Sequence, residues 1–225
     1  MIPEQAVALA AGDDVTLEAR LTLPPSPAAG VVVCHPHPLY GGDMDNPVVV
    51  RAVEVCAGLG LATLRFNFRG VGGSTGAHGG GRAEEADVEG AMARMTQHVE
   101  RVALAGYSFG AAVVAAVAAR HPEVAGVALI ALPIGTGTMR PALTEGGLLQ
   151  ALRGSGAPVL LVAGDADEYC PRADLERLGA TLPGAEVRIV EGANHFFFGK
   201  LFPLGEAIAA WARRLAPGRA SADYS

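Results

Sequence analysis

Two short segments of this chain set a serine between glycines in the pattern Gly-x-Ser-x-Gly: Gly106-Tyr107-Ser108-Phe109-Gly110 and Gly72-Gly73-Ser74-Thr75-Gly76. With 30 glycines in 225 residues, one match by chance is unsurprising, so context has to choose between them. A serine hydroxyl becomes a nucleophile when the turn that carries it is sharp, when a base can take its proton, and when N–H groups face the developing oxyanion. Ser108 follows an apolar run over 102–106 and precedes a helical pattern over 109–120, the strand–turn–helix setting that such chemistry uses. Ser74 lies several residues beyond its strand, with more glycines after it, and reads as a loop or cap residue.

The base should be a histidine, whose ordinary pKa lies near 6.5. On an elbow of this kind the acid and then the base follow the serine along the chain. Six histidines occur, and His195 is the one that follows both the elbow and the last strand, in Gly192-Ala193-Asn194-His195-Phe196-Phe197. A loop histidine packed among phenylalanines is the structural alternative. The carboxylate should come from Gly164-Asp165-Ala166-Asp167-Glu168, which follows a strand over 158–163. Asp167 is preferred there. Asp165 is expected to hydrogen-bond nearby backbone N–H groups in the turn, and Glu168 ranks below both. One oxyanion donor is the N–H of Phe109, the residue after the nucleophile. The other comes from His35-Pro36-His37-Pro38-Leu39-Tyr40-Gly41-Gly42, where Pro36 and Pro38 have no N–H to offer and His37 and Leu39 do.

Positioning these groups requires a sheet whose strands end together. Residues 31–34 form a continuous apolar run, as in a strand covered on both faces, and 61–66, 102–106, 124–132, 158–163 and 186–190 read as further strands. Helical patterns fall between them over 47–59, 83–99, 109–120 and 171–182, the second with the stripe Val88, Met92, Met95 and Val99. A last helix carries Leu201, Leu204, Ile208, Trp211 and Leu215. A strand over 15–23, after the turn residues Gly12-Asp13-Asp14, suits an N-terminal antiparallel pair. The alternation predicts an α/β fold, a mostly parallel sheet with helices on both faces, whose chemistry gathers at the carboxyl ends of the strands. One domain over 1–216 with a flexible tail over 217–225 is expected, and 133–157 reads as irregular and too short for a large lid.

Composition narrows the function classes. Apolar residues make up 50% and charged residues 18%, with a formal net charge of −6, which disfavours a nonspecific nucleic-acid surface. Cys34, Cys56 and Cys170 are odd in number and contain no CxxC, so neither a disulfide framework nor a zinc knuckle is expected. No apolar stretch approaches the roughly 20 residues of a membrane span, and no basic n-region precedes one at the N-terminus, so a cytoplasmic protein without membrane attachment is expected. His35 and His37 with Asp43 and Asp45 could suggest a metal, but the prolines stiffen the loop and no further histidine follows at ligand spacing. No metal or cofactor is therefore expected, and His35 is read as bonding loop backbone. Gly70-Val71-Gly72 fails the dinucleotide fingerprint at Thr75. Arg69 could meet an anionic substrate, although packing and hydrogen bonding are preferred.

Taken together, HPHPLYGGDMDN (35–46), RFNFRGVGGSTG (65–76), GYSFGA (106–111), GDAD (164–167) and ANHFFFG (193–199) resemble the α/β-hydrolase superfamily, and within it small bacterial serine hydrolases related to dienelactone hydrolase that carry an H-P-H-P loop. The resemblance spans about residues 30–200 in order. It implies an eight-stranded, mostly parallel sheet and a triad carried by Ser108, Asp167 and His195. By its place in related loops, His37 is the first choice for the second oxyanion donor and Leu39 the second. Dienelactone hydrolase has a cysteine where this chain has Ser108. The expected activity is hydrolysis of small or short-acyl carboxylic esters through an acyl-enzyme on Ser108. Thioester hydrolysis and acyl transfer to another acceptor use the same residues, and a silent binding module would keep the fold alone. The partner implied is a small-molecule ester. The sequence is silent on oligomeric state.

Overall fold

A computed structural model describes residues 2–12, 14–134, 156–182 and 184–216. The expected tail over 217–225 lies outside them, as does most of the 133–157 segment on which the absence of a large lid was read.

Among the described residues, eight strands form one sheet. In chain order the elements are β1 (Gln5–Ala11), β2 (Val15–Thr22), β3 (Gly30–Cys34), a 3-10 turn (Pro38–Tyr40), α1 (Pro47–Gly58), β4 (Ala62–Phe66), α2 (Arg82–Met95), β5 (Val102–Tyr107) and α3 (Phe109–Ala118). They continue with β6 (Val127–Ile130), β7 (Val159–Gly164), α4 (Arg172–Thr181), β8 (Ala185–Val190) and α5 (Leu201–Arg213). The spatial order is β1-β2-β4-β3-β5-β6-β7-β8. β1 and β2 are antiparallel to their neighbours, and every pair from β4 to β8 is parallel.

β3, β5, β6 and β7 are apolar throughout because helices cover both faces, so successive side chains enter two different cores. In β3, Val32 and Cys34 join the core packed by α2 and α3, while Val31 and Val33 join the one packed by α1 and α5. α1 starts where Pro47 fixes the first helical φ and the Asn46 side chain accepts from the Val48 N–H at 2.9 Å. α2 starts where buried Glu84 accepts from the N–H groups of Gly79 and Gly81, each at 2.7 Å. Its buried face is Val88, Ala91, Met92 and Met95; the helix ends there, and Val99 is buried beyond it rather than on it. β6 ends before its apolar run does, where Ala131 takes a positive φ of 48°. In α5, Trp211 is buried and its indole N–H donates to the Pro158 carbonyl at 2.9 Å.

One topological fact places the site. From β3 the chain crosses to β4 on one side; from β4 it crosses back over β3 to β5 on the other. The loops leaving β3 and β5 therefore diverge at the carboxyl ends of those strands, the position where open α/β sheets bind ligands. Among the described residues, no helix is long and apolar enough to cross a membrane.

Candidate active site

The turn after β5 is tight enough that only glycines fit on either side of Ser108. A Cβ on Gly106 would lie 2.3 Å from the Gly110 carbonyl oxygen, and one on Gly110 would lie 2.6 Å from those of Cys34 and His35. Ser108 itself holds φ 53° and ψ −115°, outside the regions that L-residues favour, at a cost on the order of 1–3 kcal/mol. The surroundings hold it there: its N–H donates to the Ile130 carbonyl at 2.8 Å, and its carbonyl accepts from Ala111 and Ala112 at 2.9 and 3.2 Å. The side chain is half-buried at the N-terminus of α3.

The structure brings Ser108, His195 and Asp167 together from the ends of β5, β8 and β7. His195 Nε2 lies 2.9 Å from Ser108 Oγ, and Nδ1 lies 2.9 Å from each Asp167 oxygen. A carboxylate only accepts, so Nδ1 carries the imidazole proton and Nε2 accepts from the Ser108 hydroxyl. Asp167 is 4% exposed and His195 8%, which keeps water from competing for these bonds. Asp167 Oδ1 also accepts from the N–H groups of Tyr169 and Cys170 at 2.9 and 3.0 Å. The turn role expected of Asp165 is thus filled by Asp167. The Asp165 carboxylate is exposed, and it is the Asp165 backbone N–H that bonds, to the Val190 carbonyl at 3.2 Å. Glu168 is exposed too.

The loop after β3 places the N–H groups of Leu39 and His37 differently. Leu39 donates its N–H to His37 Nδ1 at 3.2 Å, an internal cap of the 3-10 turn. Among the described residues the N–H groups of His37 and Phe109 donate to no protein acceptor, and the two rings are 4.8 Å apart. Burial, with the adjacent His78 adding to it, pulls the His37 pKa below its ordinary value. His35 is fully buried and acts as a strut. Nδ1 donates to the Pro36 carbonyl at 2.7 Å, and Nε2 accepts from the Phe68 N–H at 3.0 Å, fastening this loop to the one after β4. Burial pushes its pKa down to about 4, so it is neutral near pH 7.

Neighbouring polar groups are occupied in holding loops. Arg69 forms a buried pair with Asp87, Nε and Nη2 donating to Oδ1 at 2.9 and 2.8 Å while the Arg69 N–H donates to Oδ2 at 2.9 Å. Arg65 joins Glu4, Asp45 and the Met44 carbonyl. Ser74 Oγ donates to the Asn67 carbonyl at 2.7 Å and accepts from the Glu18 N–H at 2.9 Å. A groove of about 390 Å³ lined by Ala8, Glu18, Arg20, Met44 and Gly73 lies along β1 and β2 and includes none of the three clustered side chains.

Several residues around His195 carry no chemical signature in the sequence. The Tyr107 hydroxyl donates to the His195 carbonyl at 3.0 Å, and burial followed by the Asp167 charge raises its pKa, so it remains a donor. Its place inside the Gly-x-Ser-x-Gly pattern was the available clue. Tyr169 and Phe196 pack their rings on the imidazole at centroid distances of 4.8 and 5.5 Å. Phe197 takes a φ of 53°, which sends its ring into the core while Phe196 and Phe198 stack outside, centroids 5.5 Å apart. Cys170, beside Asp167, has a thiol pushed up to about 12, chiefly by burial and secondarily by the Asp167 charge, and is unreactive.

Comparison with known proteins gives consistent neighbours. A family model described as an alpha/beta hydrolase domain matches residues 29–201. The solved structure of an alpha-beta serine hydrolase homologue from Coxiella burnetii is 32% identical and covers 93% of this chain and 97% of its own, with a TM-score of 0.79. One from Xanthomonas campestris, described as an α/β serine hydrolase without lid, is 28% identical over 97% of this chain and 98% of its own, with a TM-score of 0.79. An uncharacterized protein of Rickettsia prowazekii is 31% identical over 88% of this chain and 84% of its own length.

Proposed function

The chain belongs to the alpha/beta hydrolase family, and we propose that it is a serine esterase that cleaves carboxylic esters through an acyl-enzyme on Ser108. The observation that carries this reading is the continuous hydrogen-bonded line from Ser108 Oγ through the His195 imidazole to Asp167. Ser108 Oγ attacks the ester carbonyl as His195 Nε2 takes its proton; Asp167 keeps the proton on Nδ1 and stabilises the imidazolium that forms. The oxyanion is held by the N–H groups of Phe109 and His37, both without a protein acceptor among the described residues. Collapse of the tetrahedral intermediate breaks the bond to the alcohol oxygen, which leaves with the proton from His195. Water, activated by the same imidazole, then releases the acid.

Small or short-acyl esters are the proposed substrates. The Xanthomonas campestris relative, described as lacking a lid, supports an open site of this kind.

A fluorophosphonate probe tests the nucleophile directly. The folded protein is expected to be labelled at Ser108, with labelling and ester turnover both lost in Ser108→Ala. Ester turnover surviving in that variant would assign the nucleophile elsewhere. Absence of label on folded protein would favour a silent module with this fold.

A further inference from the structure

His195 must deliver its proton to the departing alcohol oxygen, so the alcohol half of the substrate sits against the imidazole. What lines the imidazole therefore selects the alcohol, a deduction that rests on the esterase reading above. Those neighbours are aromatic and open to solvent. Tyr169 is 45% exposed, with its ring centroid 4.8 Å from that of His195. Phe196 is 53% exposed and meets the imidazole edge-on at 86°. Phe198, 74% exposed, stacks on Phe196 at 25°, which extends the surface by a second ring.

Two observations set this cluster apart from incidental apolar exposure. Singly scattered surface apolar residues are ordinary, whereas contiguous ones mark binding sites. The outward stack also exists because Phe197 takes a left-handed φ of 53°, unusual for a bulky side chain, and such strain collects at ligand sites. Tyr169 is held by its own N–H bond to Asp167 Oδ1, so the ring is tied to the same carboxylate that orients His195.

We propose that Tyr169, Phe196 and Phe198 form an alcohol-side subsite that takes an aromatic leaving group, so that aryl-methyl esters of small acids are better substrates than their methyl counterparts. Ring stacking of this kind favours the aromatic alcohol by several-fold to about tenfold.

The test uses two matched series. Benzyl acetate against methyl acetate varies the alcohol, and the two alcohols are similar in acidity, so intrinsic leaving ability is nearly matched. Methyl phenylacetate against methyl acetate varies the acid. In the native protein kcat/KM is expected to favour benzyl over methyl acetate by about tenfold. Phe198→Ala is expected to cut that ratio by three- to tenfold, mainly through KM, while the acyl-series ratio changes less than twofold. Phe198→Leu, which keeps apolar bulk without the ring, should lower the alcohol ratio at least twofold and serves if the alanine variant loses its fold. A native alcohol ratio near one, an equal fall for both alcohols in the variants, or a shift in the acyl ratio instead would overturn the subsite. Failure of the esterase reading shows itself separately, as folded native protein that fluorophosphonate does not label at Ser108.

Discussion

Residues 106–110 and 72–76 share one pattern and have opposite surroundings. At 106–110 the glycines make room for backbone: a Cβ at either would strike a carbonyl, and the serine between them is half-buried and strained, with its hydroxyl on an imidazole. At 72–76 both glycines adopt positive φ, 54° and 81°, to form a loop, and the serine is buried with its hydroxyl occupied by the Asn67 carbonyl and Glu18 N–H. The pattern alone thus specifies no chemistry. What separates the two is whether a strand delivers the serine straight into a helix.

The sharpest break of this comparison is a pair of alanine variants at the serines. Ser108→Ala should lower kcat of ester turnover by about 10⁴–10⁶. Ser74→Ala should retain turnover; comparable losses in both would erase the distinction. Next in size, Asp167→Asn turns an amide toward Nδ1 and favours the wrong imidazole tautomer; kcat should fall by about 10³–10⁴ with unchanged unfolding midpoint. Gly110→Ala should destabilise the fold by about 1–3 kcal/mol or more in urea titrations, because the new methyl meets the carbonyls of Cys34 and His35 at 2.6 Å. The same measurement should find Ser74→Ala weaker by about 1–3 kcal/mol, since the Glu18 N–H and Asn67 carbonyl each lose the hydroxyl.

The smallest effect concerns pH and His35, the strut between the β3 and β4 loops. Its folded pKa of about 4 lies below the ordinary 6.5, so between those values the unfolded chain binds more protons. The stabilisation is complete above pH 6.5 and is lost as pH falls toward 4. Unfolding free energy should drop by about 2 kcal/mol between pH 7 and 5 from this group, and His35→Gln should flatten that part of the profile. An unaltered slope in the variant would assign the dependence elsewhere.

Much of the architecture is readable in the chain because β3, β5, β6 and β7 are continuous apolar runs and α1, α2 and α5 carry apolar residues at helical spacing. β1 is harder: Gln5–Ala11 is an edge strand, largely exposed, and its apolar run is mostly alanine, a poor strand former. The ends of α2 and β6 depend on turns beyond the apolar stripe. Ser108 is marked by its neighbours, and Asp167 and His195 by the loops that follow strands. Which of Asp165 and Asp167 meets His195, and which of the His37 and Leu39 N–H groups is bonded within the loop, is not readable, because it is set by side chains folding back on their own backbone. The Tyr107 bond to the His195 carbonyl joins residues 88 positions apart, and no local pattern announces it.

Ser108, Asp167 and His195 come from the loops after three different strands, β5, β7 and β8, and the first and last stand 87 positions apart. A ribosome that has extruded the Ser108 turn, and even the Asp167 loop, has yet to supply the imidazole that the Ser108 hydroxyl meets. On the proposed esterase reading, the onset of ester hydrolysis during refolding is expected to date the docking of the final strand and helix, and a chain halted before residue 195 is expected to stay inert however much sheet it has already built.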